Sequence, residues 1–352
     1  MCRAETSAAI DKSSWLIPPR PRQYFKSAAN ARSPGESEAE VGMTQCYEAP
    51  ANRHLPEEVG DHVGVGPYGQ VMLTHKEFVD IGHTRVAYSR TGSGPDVLFI
   101  HGWPLNGTTW RHVVPEMDGY TSWVIDLPGA GSSRATEETP LTMPGHVETV
   151  VKIIDELGLS DVVLVGQDSG GMIARYAAEK RPAAVRALSL CGTEIPGHHP
   201  PLVRFFTFAG RLPAAAASFK FLMGNRTIAR TPLILGGTVA DKSLLDGEMR
   251  DTLLDPILAD DAAMASAIKL IRNFSKADVD PLAQTHPNLT MPALLVWGED
   301  DPFFPVDKAR AMAEQFAGPT QFEVLPDTKL LVHEERPHEF AALTRTFLEA
   351  HI

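Results

Sequence analysis

The chain of 352 residues is predicted to be an α/β protein, with a mostly parallel sheet flanked by helices and interrupted by a helical insertion. Continuous apolar runs at 96–102, 122–127 and 161–167 are typical of strands buried on both faces. Amphipathic stretches with helical spacing separate these runs. Because strands that alternate with helices pair in parallel, the pattern predicts helices on both faces of one sheet.

The elements follow in order from residue 71. Alternating polar and apolar positions at 75–82 and 84–92 predict a hairpin joined near Gly82. A helical pattern, "TTWRHVVPEM", follows the first buried strand. The later part of this half predicts helices at 145–158 and 171–182, with a strand at 185–192. After residue 286 the alternation resumes with "ALLVWGED", "VDKARAMAEQFA", "TQFEVLP" and a last helix from Arg336.

Residues 197–285 interrupt this alternation. Stretches such as "LVRFFTFAGRL" and "AAMASAIKLIRNF" have the spacing of short amphipathic helices, and no strand pattern occurs among them. We call residues 197–285 the cap segment, because a helical insertion in such a sheet is expected to cover the site. The core is then 71–196 and 286–352. Residues 1–70, rich in Pro, Ser, Ala and Glu, are expected to be a disordered tail.

Composition excludes several classes of function. The formal net charge of −12 argues against a nucleic-acid surface and does not favour an anionic membrane. Three scattered cysteines are too few for a disulfide framework or a thiolate metal site. No apolar run has the length of a bilayer span, and the N-terminus lacks the apolar core of a signal peptide, so a cytoplasmic location is expected.

The stretch "VVLVGQDSGGMIARYAA" predicts a strand, a sharp turn and a helix. Gly166 and Gly170 lie two residues on either side of Asp168, the spacing of a nucleophile elbow. Glycines there permit a tight turn and a close approach of helix to strand. Asp168 is therefore the candidate nucleophile. Ser169 lies one position past the tip, where the turn would direct its backbone N–H toward an oxyanion.

Three motifs together resemble the α/β-hydrolase family, in particular the branch with an aspartate nucleophile. These are "HGWP" (101–104), "DLPGAGSS" (126–133) and "GQDSGG" (166–171). The resemblance implies an α/β-hydrolase fold with a helical cap, no cofactor and no metal. It implies a nucleophilic role for Asp168 and an oxyanion hole made by the backbone N–H groups of Trp103 and Ser169. His101 is expected to contact the substrate.

The resemblance also implies a catalytic acid after the strand in "LLVWGEDDPFFP". The family spacing G-x-x-D-x-x-x-P places this acid at Asp301. Asp300 and Glu299 are the alternatives, as solvated loop charges.

The base departs from the family pattern. The family phrase resembles "GHFLHEERP", whereas this chain has "KLLVHEERP" at 329–337. In that register Lys329 replaces a glycine, Leu330 replaces the catalytic histidine, and His333 matches a second histidine that is not catalytic. His333 is nevertheless the local candidate base, with a surface or helix-capping role as the alternative.

The cap segment supplies Phe205, Phe206 and Phe208 as candidate substrate contacts, with packing of the cap onto the core as the simpler alternative for each of them. An apolar small molecule is the expected partner. The leading hypothesis is hydrolysis of an apolar epoxide or organohalide through Asp168. The alternative is a non-hydrolytic protein on the same scaffold, either a lyase or cyclase or a ligand-binding protein, because the histidine is out of register.

Overall fold

The computed structural model describes residues 64–65, 71–72 and 77–352. Within the predicted tail (1–70), only Gly64–Val65 (β1) lies in the described residues, where it pairs antiparallel with Val71–Met72 (β2). The rest of that tail lies outside them.

The central sheet has eight strands and is mostly parallel. Its strands are β3 (Glu77–Asp80), β4 (Arg85–Gly92), β5 (Asp96–Ile100), β6 (Thr121–Ile125), β7 (Val162–Gln167), β8 (Val185–Cys191), β9 (Ala293–Gly298) and β10 (Thr320–Leu325). Their spatial order is β10-β9-β8-β7-β5-β6-β4-β3, and antiparallel pairing is confined to β3–β4 and β4–β6. The predicted fold class and the parallel pairing of the buried strands are confirmed.

Helices cover both faces of the sheet, as the apolar strands require. The helices outside the cap segment are α1 (Met143–Glu156), α2 (Ser169–Lys180), α10 (Val306–Ala313), α11 (Val332–Glu335) and α12 (Pro337–His351). Alternate residues of β5 face opposite cores: Leu98 packs with α1 and α2, whereas Phe99 packs with Phe340 of α12. This alternation follows from the two-residue period of a strand.

The described residues between β8 and β9 form helices and no strand. These helices are α3 (Pro201–Ala209), α4 (Ala215–Gly224), α5 (Arg226–Ala229), a π-helical turn at Arg250–Leu254, α6 (Asp255–Ala259), α7 (Asp261–Asn273), α8 (Lys276–Val279) and α9 (Leu282–Thr285). No helix of the described residues has both the length and the apolar character needed to cross a membrane.

The helix expected at "TTWRHVVPEM" is replaced by two short 3₁₀ turns, Gly107–Trp110 and Val114–Glu116. Pro115 stands at the start of the second turn. Proline has no backbone N–H and its ring clashes with the preceding turn, so a continuous helix cannot pass through it.

Helix α2 begins in close contact with the backbone that follows β5. A Cβ atom on Gly170 would lie 2.3 Å from the carbonyl oxygen of Ile100 and 2.6 Å from that of His101. Real carbon–oxygen contacts are longer, so a side chain here must displace backbone. The glycine thus permits α2 to begin at Ser169, directly against the end of β5.

Gly170→Ala is therefore expected to lower the free energy of unfolding by about 2 kcal/mol or more, in the range of overpacked buried sites. Gly224→Ala is the matched control, because a Cβ there meets nothing within 4 Å and alanine favours a helix. Urea unfolding of the two variants measures the difference. Equal stabilities would contradict the proposed close packing at Gly170.

Candidate active site

Asp168 occupies the sharp turn between β7 and α2. Its backbone has φ 50° and ψ −132°, a conformation that is uncommon for any residue except glycine. Strain of this kind persists only where the surrounding structure enforces it, and it is concentrated at functional sites. The turn therefore projects the Asp168 side chain at the carboxyl edge of the parallel sheet, as the elbow motif predicts.

The Asp168 carboxylate is buried and held by backbone N–H groups. The N–H of Trp103 donates to Oδ2 at 3.1 Å, and the N–H and hydroxyl of Ser169 also bond the carboxylate. Burial raises the pKa of Asp168 to about 6, while these hydrogen bonds oppose the increase. The Oδ2 oxygen is thus held by a backbone N–H of the loop after β5, as expected for the predicted oxyanion hole.

Ser169 is buried one residue past the turn. Its Oγ lies 3.0 Å from the same Trp103 N–H. The serine hydroxyl is therefore part of the hydrogen-bonding around Asp168, and the tip of the elbow is the aspartate.

Asp301 is buried after β9. Its Oδ1 accepts hydrogen bonds from the N–H groups of Phe303 and Phe304, at 2.8 and 3.0 Å. Its Oδ2 has no hydrogen-bond partner among the described residues. Burial raises the pKa of Asp301 to about 7, and the charge of Asp168 contributes to the increase. The two carboxyl groups therefore interact electrostatically. This interaction supports Asp301, rather than the exposed Asp300 or Glu299, as the candidate acid.

Leu330 lies in the loop after β10 and lines the same cavity as Asp168. The loop is anchored on either side, because Lys329 N–H donates to Glu335 Oε2 at 2.8 Å and Leu331 N–H to Thr238 O at 3.1 Å. The position that the resemblance assigns to the catalytic histidine thus faces the cavity with an isobutyl group, which cannot transfer a proton.

His333 does not line this cavity. It is fully buried in α11, where its ring lies 4.6 Å from the Trp110 ring in a tilted arrangement and its Nε2 lies 2.7 Å from Thr109 Oγ1. The threonine hydroxyl donates to Glu334 Oε1, so Nε2 carries the ring proton and donates to the threonine. Burial lowers the pKa of His333 to about 4. The geometry supports neither the expected base role nor the surface or helix-capping alternative, because the ring lies within α11 and faces inward against Trp110.

The cavity has a volume of about 350 Å³ and mostly apolar walls. Phe206 and Phe208 line it as expected, whereas Phe205 does not and is 55% exposed. His101 is also absent from its walls. Instead, His101 accepts a hydrogen bond from Leu127 N–H at 2.9 Å and borders a separate pocket of about 30 Å³. The substrate contacts expected for Phe205 and His101 are therefore not supported by this geometry.

Trp103, in the loop after β5, connects the core to the cap segment at one wall of the cavity. The indole N–H of Trp103 donates to the carbonyl oxygen of Ala267 in α7, at 3.0 Å. The ring also lies 6.3 Å from the rings of Phe206 and of Phe219. The indole N–H is thereby occupied and is not directed at a ligand.

Sequence reasoning missed Glu194, which is buried and lines the cavity after β8. Burial raises the pKa of Glu194 to about 8, and the negative charge of Asp168 adds to the increase. The Thr193 hydroxyl lies 2.8 Å from the carbonyl oxygen of Asp168 and 3.0 Å from Glu194 Oε2. A pKa of about 8 favours the protonated form of Glu194 at neutral pH. Sequence reasoning could have found Glu194 from its place just after the carboxyl end of a central strand, where ligands bind in sheets of this kind.

Arg175 of α2 holds the loop after β8 through hydrogen bonds. It is fully buried, and its Nη2 donates to Thr193 Oγ1 at 2.8 Å and to Glu194 O at 2.9 Å. Burial lowers the pKa of Arg175 to about 10, so it stays charged at neutral pH. The guanidinium therefore fixes the loop that carries Glu194.

Two histidines line the cavity, His198 and His199, and both are bonded elsewhere. Nε2 of His198 lies 2.8 Å from Phe303 O, and Nε2 of His199 lies 2.8 Å from Asp280 Oδ1. Within residues 77–352, no three His, Cys, Asp or Glu side chains converge to hold a metal ion. The polar groups that face the cavity around Asp168 are thus mainly carboxyl groups and backbone N–H groups.

Comparisons with known proteins agree with the fold. Residues 95–337 match the family model for the alpha/beta hydrolase fold. A pimeloyl-[acyl-carrier protein] methyl ester esterase of Aeromonas hydrophila is 26% identical over 75% of this chain and 96% of its own length. Epoxide hydrolase 4 of Mus musculus is 26% identical over 99% of this chain and 91% of its own length.

A solved structure, the haloalkane dehalogenase DbeA of Bradyrhizobium elkani, superposes with a TM-score of 0.62. Its identity is 22%, and the match covers 78% of this chain and 98% of the dehalogenase, a level that supports the fold alone. The family model spans well over half of the sequence. The chain therefore belongs to the alpha/beta hydrolase fold family and is, at that general level, a hydrolase.

Proposed function

We propose that this protein attacks an apolar epoxide with Asp168 and forms a covalent ester, with organohalides as poorer substrates. The observation that carries the proposal is the position of the Asp168 carboxylate: it sits on a strained elbow, faces an apolar cavity, and has one oxygen held by the N–H of Trp103. The held oxygen becomes the ester carbonyl oxygen, while the other oxygen bonds to carbon. The mostly apolar walls suit an apolar electrophile.

A mechanism with a serine nucleophile is less well supported, although one relative is named an esterase. Ser169 is off the tip of the elbow and its Oγ contacts the oxyanion N–H of Trp103. A nucleophilic serine needs a base within hydrogen-bond reach. The two cavity histidines are bonded to Phe303 and Asp280 instead.

Glu194 favours an epoxide over a halide. Opening of an epoxide breaks a carbon–oxygen bond and leaves an alkoxide, which must take up a proton, whereas a halide leaves without one. A protonated Glu194 beside Asp168 supplies that proton and becomes a carboxylate. Halide stabilisation has less support, because the Trp103 indole N–H donates to Ala267 O.

Release of the ester requires water activated by a base, and Leu330 occupies the place of that base. Asp301 retains an unpartnered Oδ2 that would orient a histidine in the usual arrangement. We therefore propose slow hydrolysis, with attack by water assisted by the ionised carboxyl groups of the cavity. Leu330 in place of the catalytic histidine also favours a second candidate, a lyase, cyclase or ligand-binding protein that never forms or never releases the ester.

The nucleophile is tested with a panel of apolar epoxides and alkyl halides by intact-mass measurement and peptide mapping. We expect one covalent adduct per chain, located on Asp168. In Asp168→Asn the adduct should be lost and any turnover should fall on the order of 10³-fold or more, as for loss of a covalent nucleophile. The control is Asp300→Asn, because Asp300 is exposed. An adduct that persists in folded Asp168→Asn would contradict the proposal, and no adduct or product with any compound would favour the second candidate.

Restoring the missing base should release the adduct. We expect Leu330→His to accelerate ester hydrolysis by about 10²-fold or more, because the imidazole can bond Asp301 Oδ2 and activate water. The rate of loss of the adduct mass after removal of substrate measures this effect. The double variant Leu330→His/Asp301→Asn should lose most of the gain, and His333→Gln should leave the release rate unchanged. Slower release in His333→Gln would restore that residue as the base.

The pH dependence tests Glu194. Adduct formation from an epoxide should rise with pH as Asp168 ionises, near pH 6, and fall as Glu194 deprotonates, near pH 8. Adduct formation from an alkyl halide should rise but not fall. Glu194→Gln should remove the fall at high pH and slow the epoxide reaction by about 10²-fold, a typical contribution of a general acid. Identical pH profiles for the two electrophiles would contradict the role of Glu194.

A further inference from the structure

Large apolar side chains are exposed mainly in one stretch of the cap segment, residues 201–233, which we call the outer cap stretch. Among the described residues, five of the six exposed large hydrophobic side chains lie there, with 49–69% of their surface exposed: Phe205, Phe208, Leu212, Phe221 and Leu233. Exposed apolar residues clustered in this way are typical of a surface that contacts a protein or a membrane.

The same region carries positive charge in an acidic protein. Residues 197–240 contain five Lys or Arg and no Asp or Glu, whereas the whole chain has a net charge of −12. Asp261 pairs with Lys220, and Asp246 with Arg226 and Arg230. Neither Arg204 nor Arg211 has a carboxylate partner in the part of the chain that the structure describes. Two guanidinium groups are thus available to an external anion.

The cavity opens through this stretch. Phe208 lines the cavity and is 61% exposed, and the exposed Arg204 and Arg211 line it as well. Residues that both border a cavity and face solvent form its mouth. The mouth therefore combines aromatic and cationic side chains, while the interior is apolar.

We propose that the outer cap stretch docks on the surface of an anionic lipid membrane, with the mouth of the cavity facing the lipid. The exposed Phe and Leu side chains enter the boundary between headgroups and acyl chains, and Arg204 and Arg211 contact anionic headgroups. An apolar ligand is concentrated in lipid and enters the cavity from there. The negative charge of the rest of the chain is repelled by the same surface, which favours this one orientation.

A second copy of the chain is a less suitable occupant. A two-fold interface through this stretch would bring Arg204 and Arg211 toward the same residues of the other copy and would join two molecules of net charge −12. A lipid surface of negative charge complements the two arginines. The whole-chain charge, which does not favour a membrane, conceals this local asymmetry.

Vesicle cosedimentation of the full chain tests the proposal. The probes are vesicles of phosphatidylcholine with about 30% phosphatidylglycerol, and vesicles of phosphatidylcholine alone. Each cation near an anionic surface contributes roughly 1 kcal/mol of attraction. Two cations should therefore bind the anionic vesicles about 10-fold or more tightly than the neutral vesicles, and added salt should weaken this preference. Binding to neither vesicle, or equal binding to both, would overturn the proposal.

Variants separate the apolar and the electrostatic contributions. Phe205→Ser/Phe221→Ser should weaken vesicle binding about 10-fold or more, because two aromatic groups that would enter the lipid are lost. Arg204→Gln/Arg211→Gln should remove the preference for anionic vesicles. The matched controls lie outside the cap segment: Phe78→Ser, the sixth exposed hydrophobic residue, and Arg310→Gln/Arg336→Gln, two exposed arginines.

Control variants that weaken binding as much as the cap variants would overturn the assignment to this stretch. Sedimentation velocity without lipid provides the other discriminating result. A concentration-dependent dimer that is lost in Phe205→Ser/Phe221→Ser would assign the surface to a second copy and would also overturn the proposal.

Discussion

A carboxylate withdrawn from water needs partial positive charges close by, and the backbone N–H groups around Asp168 supply them. The N–H of Trp103 contacts Oδ2 directly, and Ser169 contributes the N–H at the start of α2. These groups are in place only because the turn after β7 is strained and because Gly170 lets the helix approach the end of β5. The sheet order, the elbow and the loop after β5 all serve this one hydrogen-bonding arrangement.

Three buried carboxyl groups share the electrostatic field of the site: Asp168, Glu194 and Asp301. Burial is the largest cause of the raised pKa in each case, and the charge of Asp168 adds to the increase at the other two. Arg175 partly offsets this effect, since its charge lowers the pKa of Glu194. The site therefore holds protons near neutral pH without a histidine. In the proposed reaction, the distribution of protons among these carboxyl groups takes the place of an imidazole.

The sequence predicted the parts of the molecule that follow from local patterns. The buried strands, the elbow at Asp168 and the turn that carries Asp301 depend on apolar periodicity and glycine spacing, so they could be assigned in advance. The inward rotation of His333 could not, because it depends on the packing of α11 against Trp110. Likewise, a helical pattern says which residues of α3 are apolar but not that Phe205 faces outward. Glu194 lacked a motif, although the end of a central strand marks such positions.

Trp103 belongs to two parts of the molecule at once. Its backbone N–H bonds Asp168 in the core, and its indole N–H bonds Ala267 in α7 of the cap segment. The backbone and the ring are joined by only two rotatable bonds, so a displacement of α7 is transmitted to the loop that bonds the Asp168 carboxylate. The position of the cap segment is thereby coupled to the surroundings of Asp168. A ligand that wedges the helices apart and one that draws them together would leave Asp168 with different hydrogen bonding, and hence with different basicity, before any covalent bond forms.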